Sequence, residues 1–262
     1  MSSESAVLVT GASTGIGAVY AERFARRGHD LVLVARNHER LTALAERLRD
    51  ETGVQVDILQ ADLTQDSDIA AVEQRLREDA RIRILVNNAG TSIPGDFLHQ
   101  SSYDITRLIT LNVTSVARLA NAIAPRLAQA GEGAIVNIAS VVGLGPEMGL
   151  TVYGATKAFV LFLSQGLDVE LSAKGVYVQA VLPAATRTEI WQHSGKDVDT
   201  IPGVMEVDKL VDAALVGFDR RESVTIPPLH DETQWQTLNA TRQAMLPGFA
   251  QSEPAARYLL RS

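Results

Sequence analysis

Thr10-Gly11-Ala12-Ser13-Thr14-Gly15-Ile16-Gly17 joins a short apolar run, Ala6–Val9, to a segment in which Ile16, Val19, Tyr20 and Phe24 recur at helical spacing. A glycine turn between a strand and a helix brings free backbone N–H groups to the positive end of a helix dipole, an arrangement that receives the pyrophosphate of a dinucleotide. The spacing is G-x-x-x-G-x-G rather than G-x-G-x-x-G, and such a turn also serves as a plain tight connection. A strand before it and a helix after it favour the nucleotide reading.

Outward from that turn, β-rich apolar runs occur at Leu31–Ala35, Val54–Gln60, Ile82–Asn87, Gly133–Ser140, Val176–Leu182 and Ser223–Ile226, most of them separated by helical patterns. Strands alternating with helices imply a parallel sheet covered on both faces. The expected fold class is α/β: a Rossmann-type, doubly wound, mainly parallel seven-stranded sheet in one domain spanning 1–262. Residues 184 to about 207 follow a strand and have no clear period, which marks them as a substrate-binding loop. The final third, where Pro183, Pro202, Pro227, Pro228 and Pro247 cluster, is the least regular.

Residues 101–130 place Ile105, Leu108, Ile109, Val113, Val116, Leu119 and Ile123 on one side of a long helix, with Asn112 as a polar interruption in the stripe. The helix expected from 151 to about 173 reads Ala158-Phe-Val-Leu-Phe-Leu163 at its centre, apolar around its whole circumference. One sheet covers only one side of such a helix. The other side is expected to meet a second copy, in a homodimer or homotetramer.

Composition narrows the partners. The 262 residues are 46% hydrophobic and 21% charged, an ordinary globular balance, and the net charge of −7 with no basic face argues against nucleic acid. The absence of cysteine excludes disulfides and thiolate chemistry, and the histidines at 29, 38, 99, 193 and 230 form no metal-like cluster, so no metal is expected. No apolar run approaches the ~18 residues that span a bilayer, and the first residues lack a leader pattern. The expected setting is cytoplasmic, with no membrane partner.

Val34-Ala35-Arg36 stands where an acid ordinarily holds the ribose 2′-hydroxyl of NAD. Ala35 removes that acid and the Arg36 guanidinium suits a 2′-phosphate, which favours NADP(H) over NAD(H); a solvated arginine opening a helix is the alternative. Asp62, beside Leu63, follows the third strand and reads equally as an adenine partner or a helix N-cap. Tyr153 and Lys157, four residues apart, share a helix face. A neighbouring ammonium favours phenolate, so the pair is expected to lower the phenol pKa and make Tyr153 an acid/base group. Ser140 ends a strand thirteen residues upstream, where its hydroxyl can polarise a substrate carbonyl; alone, it reads as a cap or turn serine.

Taken together these residues resemble the short-chain dehydrogenase/reductase family, in its single-domain NADP-preferring branch, over about residues 6–190. Thr10 to Gly17 matches its T-G-x-x-x-G-x-G, Asn87-Asn88-Ala89-Gly90 its N-N-A-G, and Tyr153 to Lys157 its Y-x-x-x-K, while Asn112, Ser140, Tyr153 and Lys157 match its catalytic tetrad. The resemblance implies that Lys157 also holds the nicotinamide ribose, that Asn112 orders a water in a proton relay, and that Asn88, Ala89 and Gly90 steady the sheet beside the adenosine ribose. It implies cofactor contacts from Gly11, Ser13, Thr14, Gly15, Ile16 and Gly17, and from Arg36, Asp62, Leu63, Tyr153, Pro183 and Thr188. One departure stands out: Pro183-Ala184 replaces the family's Pro-Gly, adding a methyl where backbone nears nicotinamide.

The expected function is NADP(H)-dependent interconversion of a ketone or aldehyde and an alcohol by hydride transfer. Val142, Leu144, Met148, Leu150, Ile190 and Trp191, with Ser140 and Tyr153, are the expected substrate lining, and their apolar character suits a hydrophobic small molecule. Two other classes use a similar sheet. A non-catalytic dinucleotide sensor or regulatory protein is opposed by all four tetrad positions, and a methyl transferase leaves Tyr153 and Lys157 unexplained.

Overall fold

The computed structural model describes residues 5–189 and 197–259. Strands β1 (Ala6–Thr10), β2 (Asp30–Ala35), β3 (Val56–Gln60), β4 (Ile82–Asn87), β5 (Ala134–Ile138), β6 (Tyr177–Val181) and β7 (Val224–Thr225) form one seven-stranded sheet in the order β3-β2-β1-β4-β5-β6-β7. Every pairing is parallel. The Rossmann-type doubly wound fold read from the sequence is the fold observed.

Side chains alternate across a strand, and here both faces are apolar. Val7 and Val9 of β1 enter one core with Leu31, Leu33, Tyr20, Phe24 and Leu48, while Ala6 and Leu8 enter the other with Val32, Leu76, Leu119 and Ile123. The first layer contains α1 (Gly15–Arg26), α2 (His38–Thr52) and α7 (Val207–Asp219); the second contains α3 (Asp66–Glu78) and α5 (Ser115–Ala130). Sheet order reverses between β1 and β4, which opens a crevice at the carboxyl ends of these strands.

Helix α7 is tied to α1 at its surface by Arg23 Nε to Asp212 Oδ1 (2.7 Å) and Arg27 Nη1 to Asp219 Oδ1 (2.8 Å). Exposed ion pairs of this kind contribute only about 0–1 kcal/mol each. The edge-on packing of Phe24 on Phe218, centroids 5.8 Å apart, gives the contact its apolar part. Upstream of α7, Met205 N donates to Ala185 O at 2.9 Å and Arg187 N to Met205 O at 3.0 Å.

The helix expected over 101–130 is broken into α4 (Ser102–Ile109), a π-helical turn at Thr110–Thr114 that contains Asn112, and α5. A π turn admits one extra residue and redirects the side chain it carries, a feature frequent at functional sites. Helix α6 (Thr151–Leu171) follows its predicted course. Val160 and Leu161 are buried, whereas Phe162 and Val169 remain 76% and 81% exposed and so form an uncovered stripe with Gly166.

The chain resolves into two compact units, Met1–Pro227 and Pro228–Ser262. The second contains α8 (Glu232–Ala244), which the sequence reading did not predict. Asp231 caps it by accepting from Thr233 N at 3.0 Å, but the helix buries no residue and therefore shows no apolar period. Among the described residues no helix is long and apolar enough to cross a membrane.

Candidate active site

The glycine turn runs from the end of β1 into α1, with Gly11 and Gly15 at φ +64° and +55°. Gly17 is required by close approach: a Cβ there would lie 2.3 Å from Gly11 O and 2.5 Å from Asn88 Nδ2. The N-N-A-G segment is bonded onto this turn. Asn88 Nδ2 donates to Thr10 O at 2.8 Å and to Gly11 O at 3.2 Å, while the N–H groups of Asn88 and Ala89 both donate to Thr10 Oγ1 at 3.0 Å. Thr14 gives α1 no side-chain cap, and its first turn holds no acid. The turn therefore presents a helix N-terminus to an anion without internal competition.

Ser140, Tyr153, Lys157 and Asn112 lie close together beyond that crevice. Ser140 Oγ donates to Pro183 O at 3.1 Å and lies close enough to the Tyr153 hydroxyl to favour its ionised form. Lys157 Nζ is buried, donates to Ile138 O at the end of β5 (2.8 Å) and sits 5.7 Å from the Tyr153 ring centroid. Gly143 makes this arrangement possible: a Cβ there would fall 2.7 Å from Ala158 N, so the turn after Ser140 can press against α6 only without a side chain.

Asn112 is buried and bonded on two sides. Its Nδ2 donates to Thr91 O (2.9 Å) and to Thr156 Oγ1 (3.1 Å), and its Oδ1 accepts from Thr91 N (3.0 Å). Thr91 and Thr156 were not among the residues expected from sequence. The signal available was the position of Thr156 inside the Tyr153–Lys157 motif; Thr91 had none. A Cβ on Gly90 would lie 3.3 Å from Asn112 Oδ1 and 3.4 Å from Lys157 Nζ, so glycine keeps a small polar-walled space open there. That space, the uncapped α1 and the buried ammonium fit a nicotinamide dinucleotide.

The electrostatics differ from expectation in one respect. Burial pushes the Tyr153 phenol up to about 12, against a smaller downward pull from Ser140. Burial also brings the Lys157 ammonium down to about 8. The expected lowering of the phenol pKa by Lys157 is not seen: desolvation of the phenolate raises it, and the downward pull comes from Ser140.

The remaining expected residues are placed as follows. Arg36 is exposed at the end of β2, and no ion pair to it is found among the described residues. Asp62 Oδ1 accepts from Thr64 N and Oγ1 at 3.0 and 2.8 Å, a turn that precedes α3, while Gln65 occupies the cap position of that helix. The helix-cap reading of Asp62 is thus replaced by a local turn. Thr188 packs against Gly15, its Cγ2 3.3 Å from where a Cβ would stand. Ala184 adopts no positive φ, since Arg221 is the only such non-glycine among the described residues, so its backbone is compatible with a methyl. Val142 is half-buried, and Leu144 and Met148 are exposed on the turns between β5 and α6. Ile190 and Trp191 lie outside the described residues.

The sequence profile described as short chain dehydrogenase matches residues 5–199. The chain belongs to that family. Among solved short-chain dehydrogenases, one from Sphingobium yanoikuyae in complex with NADPH is 67% identical with a TM-score of 0.96, covering 97% of this chain and 100% of its own. A bulky-bulky ketone specific alcohol dehydrogenase from Comamonas testosteroni is 57% identical with a TM-score of 0.92, over 99% and 100% of the two chains. The very-long-chain 3-oxoacyl-CoA reductase-A of Danio rerio is 39% identical over 187 residues, 70% of this chain and 58% of that protein. The chain thus spans less than two thirds of the length of the curated relatives it first matches.

Proposed function

We propose that this short-chain dehydrogenase interconverts a ketone or aldehyde and an alcohol with NADP(H), its catalytic and cofactor residues all lying in the unit Met1–Pro227. The observation that carries the reading is the convergence of Ser140, Tyr153 and Lys157 at the sheet edge, beside a glycine turn that leaves an uncapped helix N-terminus. A bound nicotinamide supplies or accepts the hydride. The α1 turn, Asn88 to Gly90, Lys157, Pro183 and Thr188 would hold the dinucleotide. Ser140 orients the substrate oxygen, and Tyr153 Oη delivers the proton in reduction and removes it in oxidation. A non-catalytic sensor has no use for a buried serine and a buried lysine gathered around a half-buried tyrosine.

The 2′-phosphate is assigned to Arg36, and the NADPH bound by the Sphingobium relative supports that choice. Arg36→Ala should weaken NADPH binding by about ten- to a hundredfold, the range of a lost charge-assisted hydrogen bond, and leave NADH unchanged. Fluorescence titration with both cofactors checks this; equal losses for the two would contradict it. For the substrate, exposed Leu144 and Met148 beside the site and the ketone specificity of the Comamonas relative both support a ketone with large apolar substituents. Assay with NADPH against a panel of aromatic and aliphatic ketones and aldehydes tests the reaction class; no turnover of any member would contradict it.

The two shifted pKa values set a pH dependence. Reduction needs the phenol protonated, which holds below about 12, and it leaves a phenolate that charged Lys157 stabilises, which holds below about 8. Reductive kcat/KM should therefore fall as pH rises through about 8. Oxidation needs the phenolate with Lys157 still charged, so alcohol oxidation should climb with pH up to about 8 and then level off. Parallel profiles in the two directions would contradict the assignment.

Assembly follows from α6. Phe162, Gly166 and Val169 share its outer face, and a second copy packed on this stripe by two-fold symmetry would bury it. Light scattering should give a homodimer or homotetramer, and Phe162→Glu should shift it to monomer; a monomeric parent protein refutes this. A cytoplasmic setting suits a chain without cysteine.

A further inference from the structure

Thr156 lies between Tyr153 and Lys157, and the reading above gives it no part in the reaction. Its side chain is buried, and its hydroxyl serves two partners. Thr156 Oγ1 donates to Tyr153 O at 2.7 Å and accepts from Asn112 Nδ2 at 3.1 Å. The first bond is a local one, of the kind hydroxyl side chains make to the preceding turn of a helix. The second crosses from α6 to the π-helical turn. Asn112 is in turn bonded to both backbone groups of Thr91. A continuous line of hydrogen bonds therefore runs from the loop after β4, through the π turn, to the backbone of the proton-transferring tyrosine.

The start of α6 needs such a tie. Leu150 stands at its cap position and supplies no side-chain hydrogen bond, so the first turn, which contains Tyr153, is not closed by a cap. The Thr156 hydroxyl donates to a carbonyl and does not replace that cap, but it adds a side-chain tie to a turn whose own N–H groups have none. Asn112 and Thr156 are 1% and 3% exposed, so water does not readily replace the bond between them. If the hydroxyl is removed, a buried amide hydrogen loses its acceptor and the Asn112 side chain must reorient to find another.

Resting on the reading of Tyr153 as proton donor, we infer that Thr156 is a positioning residue: its hydroxyl locks the uncapped first turn of α6 to Asn112 and thereby fixes where the Tyr153 hydroxyl meets the substrate oxygen. The bond pair acts on placement rather than on charge, and small misplacements of a reacting group lower rates steeply. Cofactor affinity is left alone, because Thr156 faces Asn112 and not the glycine turn.

The test uses Thr156→Val and Thr156→Ala, which remove the hydroxyl, and Thr156→Ser, which keeps it, each as the full chain. For the panel ketone that the parent reduces fastest, single-turnover reduction is measured at saturating NADPH, with the solvent deuterium isotope effect, the NADPH Kd and the Tm. Val and Ala should bind NADPH like the parent, lose about ten- to a hundredfold in rate and show a larger solvent isotope effect, while Ser keeps the rate. If Val does not fold, Ala carries the test. A lowered Tm with unchanged rate and isotope effect in Val and Ala would overturn the inference, as would a Ser variant as slow as Ala. Tyr153→Phe separates the two levels: an active Phe variant overturns the functional reading itself, whereas an inactive one beside fully active Val and Ala variants overturns only the role of Thr156.

Discussion

Gly17→Ala is expected to remove dinucleotide binding and to lower stability together. The added methyl would stand 2.3 Å from Gly11 O and 2.5 Å from Asn88 Nδ2, far inside van der Waals contact. The first of these is backbone, so the side chain cannot simply swing away. Either α1 moves off the end of β1, or the bonds from Asn88 to Thr10 and Gly11 break; both outcomes spoil the turn that presents N–H groups to the pyrophosphate. Overpacking of this kind costs about 1–3 kcal/mol. Thermal unfolding should report a Tm lower by several degrees, and NADPH titration should show binding too weak to saturate. Unchanged affinity would mean that the dinucleotide does not use this turn.

Much of this was legible in the sequence because the sheet is buried on both faces. Strands such as Val7–Val9 and Leu31–Ala35 then read as unbroken apolar runs, and the helices between them keep their period. The N-N-A-G segment illustrates what motif matching leaves out. Its residues were readable as a unit, but their bonding to Thr10 and Gly11, some 78 residues away in the chain, belongs to the folded state. The broken helix at Asn112 was legible only as an anomaly, a polar residue in an apolar stripe; the π turn itself depends on partners at Thr91 and Thr156 that no local pattern announces. Helix α8 was missed because it buries nothing, and burial is what writes periodicity into a sequence. The sign of the Tyr153 shift also needed the structure. Spacing placed an ammonium beside the phenol, whereas the direction of the shift is set by desolvation of the phenolate.

The largest effect is expected at Tyr153. Its hydroxyl lies near Ser140 and buried Lys157, and its raised pKa keeps the proton in place at neutral pH until a substrate oxygen gains negative charge. Phenylalanine preserves the ring, and with it the packing at the start of α6, but has no proton to give. Positioned acid/base groups contribute about 10²–10⁴-fold to rate, so Tyr153→Phe should fold, bind NADPH as the parent does, and fall in turnover by that range. The most direct measurement is single-turnover reduction of a panel ketone by Tyr153→Phe with NADPH saturating. A fall of about 10²-fold or more with intact NADPH binding is the predicted result; a rate equal to that of the parent would show that the proton comes from another group.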